Sequence, residues 1–128
     1  MKRRIKVLVV DDSATVSVMM SRALEHAGYE VITASNGIEG LTKAVHEHPH
    51  CIVLDVVLPG LSGFGVCRQL RAIDPQQRIP IIMVSTKNTT LDQNWGLRQG
   101  ANRYLPKPFT EEKLVQTVEE VLRERAAV

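Results

Sequence analysis

The sequence has few cysteines, no long apolar run and almost no charge imbalance, and each shortage removes a class of protein. Two cysteines in 128 residues, Cys51 and Cys67, do not make the disulfide framework on which small secreted domains depend, so both are expected as reduced thiols in a strand and a helix. No apolar stretch approaches the ~20 residues that cross a bilayer. Met1-Lys2-Arg3-Arg4 is basic like the start of a signal peptide, but Val7-Leu8-Val9-Val10 is too short an apolar segment and runs into two aspartates. A cytoplasmic protein without membrane insertion is expected. The formal net charge of +2 is too small for a nucleic-acid partner, which needs basic residues gathered on one face. The cluster Lys2, Arg3, Arg4 and Lys6 reads as a solvated terminus. Internal repeats and low-complexity tracts are absent, and the length suits one domain, 1–128, with a single core and no output domain.

What the sequence does contain is a series of short, continuously apolar runs that stop at polar residues. Cys51-Ile52-Val53-Leu54 delivers Asp55 into Val56-Val57-Leu58-Pro59-Gly60. A run apolar at every position suits a strand buried on both faces, as in a parallel sheet covered by helices. Asp55 would then stand at the carboxyl end of that strand, where open α/β folds bind ligands; the alternative is that Asp55 only starts a turn. Val7 to Val10 is a second such run, ending at Asp11-Asp12-Ser13, where Asp12 or Ser13 can cap the next helix. Ile79-Pro80-Ile81-Ile82-Met83-Val84 is a third, ending at Ser85-Thr86-Lys87. Asn102-Arg103-Tyr104-Leu105 is a short last strand, halted by Pro106-Lys107-Pro108-Phe109.

Between the strands lie segments of helical period. Their inward positions are expected to be Val16, Met20, Ala23 and Leu24; then Ile38, Leu41, Ala44 and Val45; then Val66, Cys67, Leu70 and Ile73; and finally Leu114, Val118, Val121 and Leu122. The segment Thr89 to Gln99 is helical by position but rich in poor helix formers, which marks it as the most mobile helix. His46, His48 and His50 alternate, and i and i+2 do not share a helical face, so a zinc site there is disfavoured. Tyr29-Glu30-Val31-Ile32-Thr33-Ala34 alternates imperfectly and is placed at a sheet edge. The sum is an α/β fold of the flavodoxin-like, doubly wound kind: five parallel strands in the order 2-1-3-4-5 with five helices.

That order brings Asp11, Asp12, Asp55, Ser85 and Lys107 to one mouth. Three neighbouring carboxylates repel one another unless a cation offsets them. A set of few oxygen ligands suits Mg²⁺, which shares its shell with water and phosphate, better than zinc. A lysine and a hydroxyl opposite the acids suit the remaining oxygens of a phosphoryl group.

Val9-Val10-Asp11-Asp12-Ser13, Leu54 to Gly60 with Gly63, Val84-Ser85, and Tyr104-Leu105-Pro106-Lys107-Pro108-Phe109 resemble the receiver domain of two-component response regulators, of the single-domain CheY type. CheY has the 2-1-3-4-5 order, so the order inferred here matches an established case. The resemblance covers essentially the whole chain. It implies that Asp55 accepts a phosphoryl group from a sensor histidine kinase, CheA-like, and that Asp12, Asp55 and the backbone carbonyl of Val57 ligate Mg²⁺ while Asp11 holds a metal-bound water. It implies that Lys107 pairs with the phosphoryl oxygens through a cis Lys107-Pro108 peptide, and that Ser85 and Tyr104 form the switch. For Tyr104, ordinary core filling stays open beside that role. Val57 and Lys87 are expected to tune hydrolysis, and Thr86, where receivers usually have alanine, to narrow access. The output would be docking of a downstream motility or signalling protein through the face of the fourth helix, fifth strand and fifth helix, by a monomer or weak dimer. Ser85-Thr86-Lys87 with Trp95 to Ala101 is similar to PilH-type regulators of type IV pilus twitching motility. Trp95 is either a partner anchor or packing.

On this reading the chain is not an enzyme beyond catalysing its own phosphotransfer and dephosphorylation. Alternatives are a pseudo-receiver that binds proteins without accepting phosphate, and a Mg²⁺-dependent aspartyl phosphatase, which lacks the insertion needed for a substrate pocket. Flavin binding is least favoured, because the Asp11-Asp12 loop repels phosphate.

Overall fold

A computed structural model describes residues 4–76 and 78–126. Lys2 and Arg3 of the expected basic terminus lie outside the described residues. The chain alternates β1 (Lys6–Val10), α1 (Ala14–His26), β2 (Glu30–Ala34), α2 (Gly37–Glu47), β3 (Cys51–Asp55), α3 (Gly63–Ile73), β4 (Ile81–Ser85), α4 (Thr90–Arg98), β5 (Arg103–Pro106) and α5 (Glu111–Ala126). All strand pairs are parallel and the order is β2-β1-β3-β4-β5, as the hydrophobic patterns imply. The three continuous apolar runs are the three central strands: β3 and β4 are buried at every position and β1 at all but its first.

The sheet divides two apolar layers. Leu8, Val10, Ile52, Leu54, Ile81 and Met83 pack on one face against α2 and α3. Val7, Val9, Val53, Ile82 and Val84 pack on the other against α1 and α5. Alternate residues of one strand thus serve opposite layers, which is why these strands show no polar alternation.

Two expected inward positions are corrected. Ile38 is 65% exposed and Ile73 58% exposed. In α2 the buried residues are Gly37, Gly40 and Ala44, so small side chains face the sheet and Ile38 points outward. A Cβ at Gly40 would come within 2.9 Å of Val10 Cγ1, so the helix lies too close to the sheet for a larger residue there. In α3 the buried stripe is Gly63, Gly65, Val66, Cys67 and Leu70, and the last turn leaves the core before Ile73. The last strand also runs one residue further than expected. Pro106 pairs with Ser85 in the register, and the bond across this end is made by the Lys107 amide to the Ser85 carbonyl at 2.8 Å.

Helix starts follow the capping chemistry visible in the sequence. Ser13 rather than Asp12 caps α1, Asn36 caps α2, Ser62 caps α3 and Thr89 caps α4. Around α4 a capping box joins Thr89 and Asp92, which offsets the poor intrinsic propensity of this segment. Among the described residues the histidines form no group of three that could share a metal ion. His48 ends α2 in the left-handed region, and His50 Nδ1 accepts the Lys6 amide at 3.0 Å.

Candidate functional site

The site is assembled at the carboxyl ends of the central strands, because parallel strands all present the same end to one edge. Asp11 directly follows β1, Asp55 ends β3, Ser85 ends β4 and Lys107 directly follows β5. Asp11, Asp12 and Asp55 each place a carboxylate oxygen within 4.8 Å of the others. Asp11 and Asp55 are buried, and Asp12 is exposed.

The two buried acids are held before any ligand arrives. Asp11 Oδ1 accepts the Ser13 amide at 2.8 Å, so the residue that caps α1 also fixes the first acid. Asp55 Oδ1 accepts the Val57 amide at 3.2 Å. Lys107 Nζ donates to Asp11 Oδ2 at 3.0 Å and to Asp55 Oδ2 at 3.1 Å. The ammonium therefore joins residues 96 and 52 positions away. The peptide after it, Lys107-Pro108, is cis, as the resemblance implies.

Charges and burial compete here. Burial pushes the Asp55 carboxyl above its ordinary value, Lys107 pulls it down, and the neighbouring Asp11 pushes it up again. For Lys107, burial alone would lower the ammonium, but the hydrogen bond to Asp11 and the charges of Asp55 and Asp11 outweigh it and hold it above its ordinary value. Among the described residues a single lysine pairs with this carboxylate cluster, which leaves negative charge to spare. The all-oxygen donor set with one exposed member suits a hard divalent cation that keeps part of its water. Asp11, Asp12 and Asp55 are the residues that could hold it.

The remaining sequence candidates fall around this centre. Ser85 is buried and its hydroxyl accepts the Lys87 amide at 3.0 Å. Val57 lies beside the acids with its side chain in solvent, and Thr86 and Lys87 are exposed. Tyr104 is partly buried against the α2/α3 layer, and its hydroxyl donates to the Lys87 carbonyl. It is therefore both packing and a tether on the loop that follows Ser85. Trp95 is 47% exposed. The structure gives the reason for Gly63 in the motif. Its amide donates to the Val56 carbonyl at 2.8 Å, and a Cβ there would come within 2.2 Å of the Asp55 carbonyl oxygen.

An open doubly wound parallel sheet with a lysine-bound acidic cluster at its reversal point defines the class: flavodoxin-like α/β proteins of the CheY kind. The comparisons agree. Residues 7–119 match the response regulator receiver domain, and the chain belongs to that family. It is 43% identical over 117 residues to Protein PilH of Pseudomonas aeruginosa, covering 91% of this chain and 97% of that protein. It is 45% identical over 120 residues to the alkaline phosphatase synthesis transcriptional regulatory protein PhoP of Bacillus subtilis, covering 92% of this chain but 48% of that protein. The chain thus spans nearly all of PilH and about half of PhoP. Among solved structures it is similar to the chemotaxis response regulator CheY4 of Vibrio cholerae, with a TM-score of 0.87 and 37% identity, covering 93% of this chain and 99% of that one. No helix among the described residues is long and apolar enough to cross a membrane.

Proposed function

We propose that this receiver is a phosphorylation-controlled switch in which Asp55 takes a phosphoryl group from the phosphohistidine of a CheA-like sensor kinase. The observation that carries the reading is the pairing of Asp55 with Lys107 inside a cluster of carboxylates that Asp11 and Asp12 complete. In the transfer a carboxylate oxygen of Asp55 forms a bond to phosphorus as the phosphorus–nitrogen bond to imidazole breaks, and the imidazole keeps the electron pair and takes up a proton. The chemistry asks the protein mainly for position and charge neutralisation. Lys107 opposes the rise that burial gives the Asp55 carboxyl and faces the incoming phosphoryl oxygens. Ser85, at the end of the neighbouring strand, offers a hydroxyl proton to one of them. Mg²⁺ held by Asp12, Asp55 and the Val57 carbonyl, with Asp11 holding one of its waters, would neutralise the charge that builds up on these oxygens.

Phosphorylation favours the arrangement in which Ser85 reaches the phosphoryl group, a population shift felt by Lys87 and Tyr104 through their bonds to this loop. The output is docking of a downstream protein on the face of α4, β5 and α5. The similarity to PilH supports a role in type IV pilus or chemotaxis-like motility, in the cytoplasm. The chain is a phosphoacceptor that catalyses its own phosphorylation and dephosphorylation rather than an enzyme acting on another substrate.

The test is intact-mass measurement after incubation with acetyl phosphate. A gain of one phosphoryl group that needs Mg²⁺, is prevented when EDTA is present from the start and is absent from Asp55→Asn is expected. An unchanged mass with both acetyl phosphate and a phosphorylated kinase would leave a protein-binding pseudo-receiver. Turnover of small phosphate esters would point to a phosphatase.

A further inference from the structure

The two ends of α4 are held very differently. At its carboxyl end, three side chains from one side of α3 grip the turn that follows. Arg71 Nε and Nη2 donate to the Gly100 carbonyl at 3.0 and 2.9 Å, and Nη2 also donates to Asn102 Oδ1 at 3.1 Å. Cys67 Sγ donates to the Gln99 carbonyl at 3.2 Å, and Arg68 Nη1 to Gln99 Oε1 at 3.4 Å. Asn102 Oδ1 in turn accepts the Ile81 amide at 2.9 Å, tying the turn to the first residue of β4. The Arg71 side chain is only 9% exposed and its Nη1 also donates to the Ile79 carbonyl at 2.8 Å, so its fork is fixed from behind. Gly100 has a φ of +113°, and a Cβ there would come within 2.6 Å of Arg71 Cγ. The left-handed turn and the close guanidinium both require glycine. A cation on the last carbonyls also suits the negative end of the helix dipole.

At the amino end, the side-chain bonds are local to the helix start: Thr89 with Asp92, and Gln93 with the Asn88 carbonyl. Leu91 is 79% exposed, and Gly96, in the second half, is the one buried residue of α4. The preceding loop is joined to the body through Ser85 and Tyr104, the two residues proposed to rearrange.

We infer that Arg71, with Cys67 and Arg68, is a clamp that makes α4 a lever hinged at Gln99-Gly100, whose amino-terminal end is the part free to swing. Arg71 is in this sense a positioning residue: it touches none of the reacting groups and fixes the point about which α4 turns. The clamp itself is a property of the unphosphorylated protein. Only its use as a lever rests on the proposed switch, so the two can fail separately.

Hydrogen–deuterium exchange of the full chain by mass spectrometry tests both parts. Without phosphodonor, amides from Leu97 to Asn102 should exchange roughly tenfold more slowly than those from Gln93 to Trp95. Arg71→Ala should erase that gradient by speeding exchange at Leu97 to Asn102 roughly tenfold, with β1 and β3 unchanged. Arg71→Lys, which keeps the charge but loses the planar fork, should fall between the two and serves alone if Arg71→Ala does not fold. A flat profile along α4 in the parent protein, or acceleration spread evenly over every strand in the variants, overturns the clamp. With acetyl phosphate and Mg²⁺, exchange should change at Gln93 to Trp95 and not at Gln99 to Asn102. The reverse pattern in protein shown by mass to be phosphorylated overturns the lever and leaves the phosphorylation reading intact.

Discussion

On one flank of the site, Asp55 ends a strand buried at every position and Asp11 follows one almost as deeply covered, with Ser13 and Val57 amides fixing their carboxylates. On the other flank, Ser85 ends a strand as deeply buried as that of Asp55, but Lys107 follows a strand that is not, and the two strands are joined through α4, which buries Gly96 alone. The second of these strands has one fully buried residue and a proline in its ladder. The acids need a fixed spacing, because a few tenths of an ångström decide whether a hard cation finds its ligands. The hydroxyl side has to move if binding of phosphate is to be felt elsewhere, and moving parts are drawn from weakly packed elements. The same sheet edge thus carries a rigid half and a compliant half, joined by Lys107, whose ammonium reaches across to Asp11 and Asp55.

The contrast can be broken most severely in the chemistry. Asp55→Asn is expected to abolish acetyl phosphate labelling, and Lys107→Met to slow it by on the order of 100-fold, as loss of a positioned charge does elsewhere. Ser85→Ala should retain labelling while losing the exchange change in α4; if it lost labelling entirely, the division into two halves would fail.

Packing gives the next largest effect. Leu54→Ala removes a fully buried side chain between β1 and β4 and should cost about 2–5 kcal/mol in urea unfolding. Leu91→Ala on α4 should stay within about 0.5 kcal/mol. Equal losses would show that α4 is not the weakly held element.

A smaller effect concerns charge. Because burial and Asp11 raise the Asp55 carboxyl above its ordinary value, the folded state binds this proton more tightly than the unfolded one. The ionised form therefore lowers stability above the folded value, and the penalty is relieved as pH falls through it. Asp55→Asn should melt a few degrees higher than the parent protein at pH 7 without Mg²⁺, and the difference should shrink as the solution is acidified or Mg²⁺ is added. A variant that melts lower at pH 7 would mean that Lys107 more than offsets burial. The smallest change is expected from replacing Val57 and Lys87 together, which should alter the half-life of the phosphorylated form a few-fold; an unchanged half-life removes them as tuning residues.

Much of this was legible in the chain. Runs such as Val7 to Val10 and Ile52 to Leu54 suit strands covered on both faces, and the weaker pattern of Glu30 to Ala34 fits an edge. From the order alone, Asp11, Asp55, Ser85 and Lys107 had to meet, since parallel strands share an end. Ile38 and Ile73 fit the helical period yet face solvent, because the period shows that a stripe exists but not where its edge lies. In α2 the close approach of the helix to Val10 selects glycine instead. Arg71 left no signal, because an arginine in a helix reads as exposed, and two of its four partners are backbone carbonyls, that of Gly100 lying 29 residues away.

The order of apolar and polar residues by itself determined which segments are strands, how they are arranged and which five side chains gather at one edge, because burial and strand direction follow from pattern. Only the tertiary structure decided that Lys107 spans two acids, that Tyr104 tethers the loop after Ser85, and that α4 is gripped at one end. Those facts depend on distances between groups far apart in sequence, and side-chain reach across a packed core is not encoded in any local period.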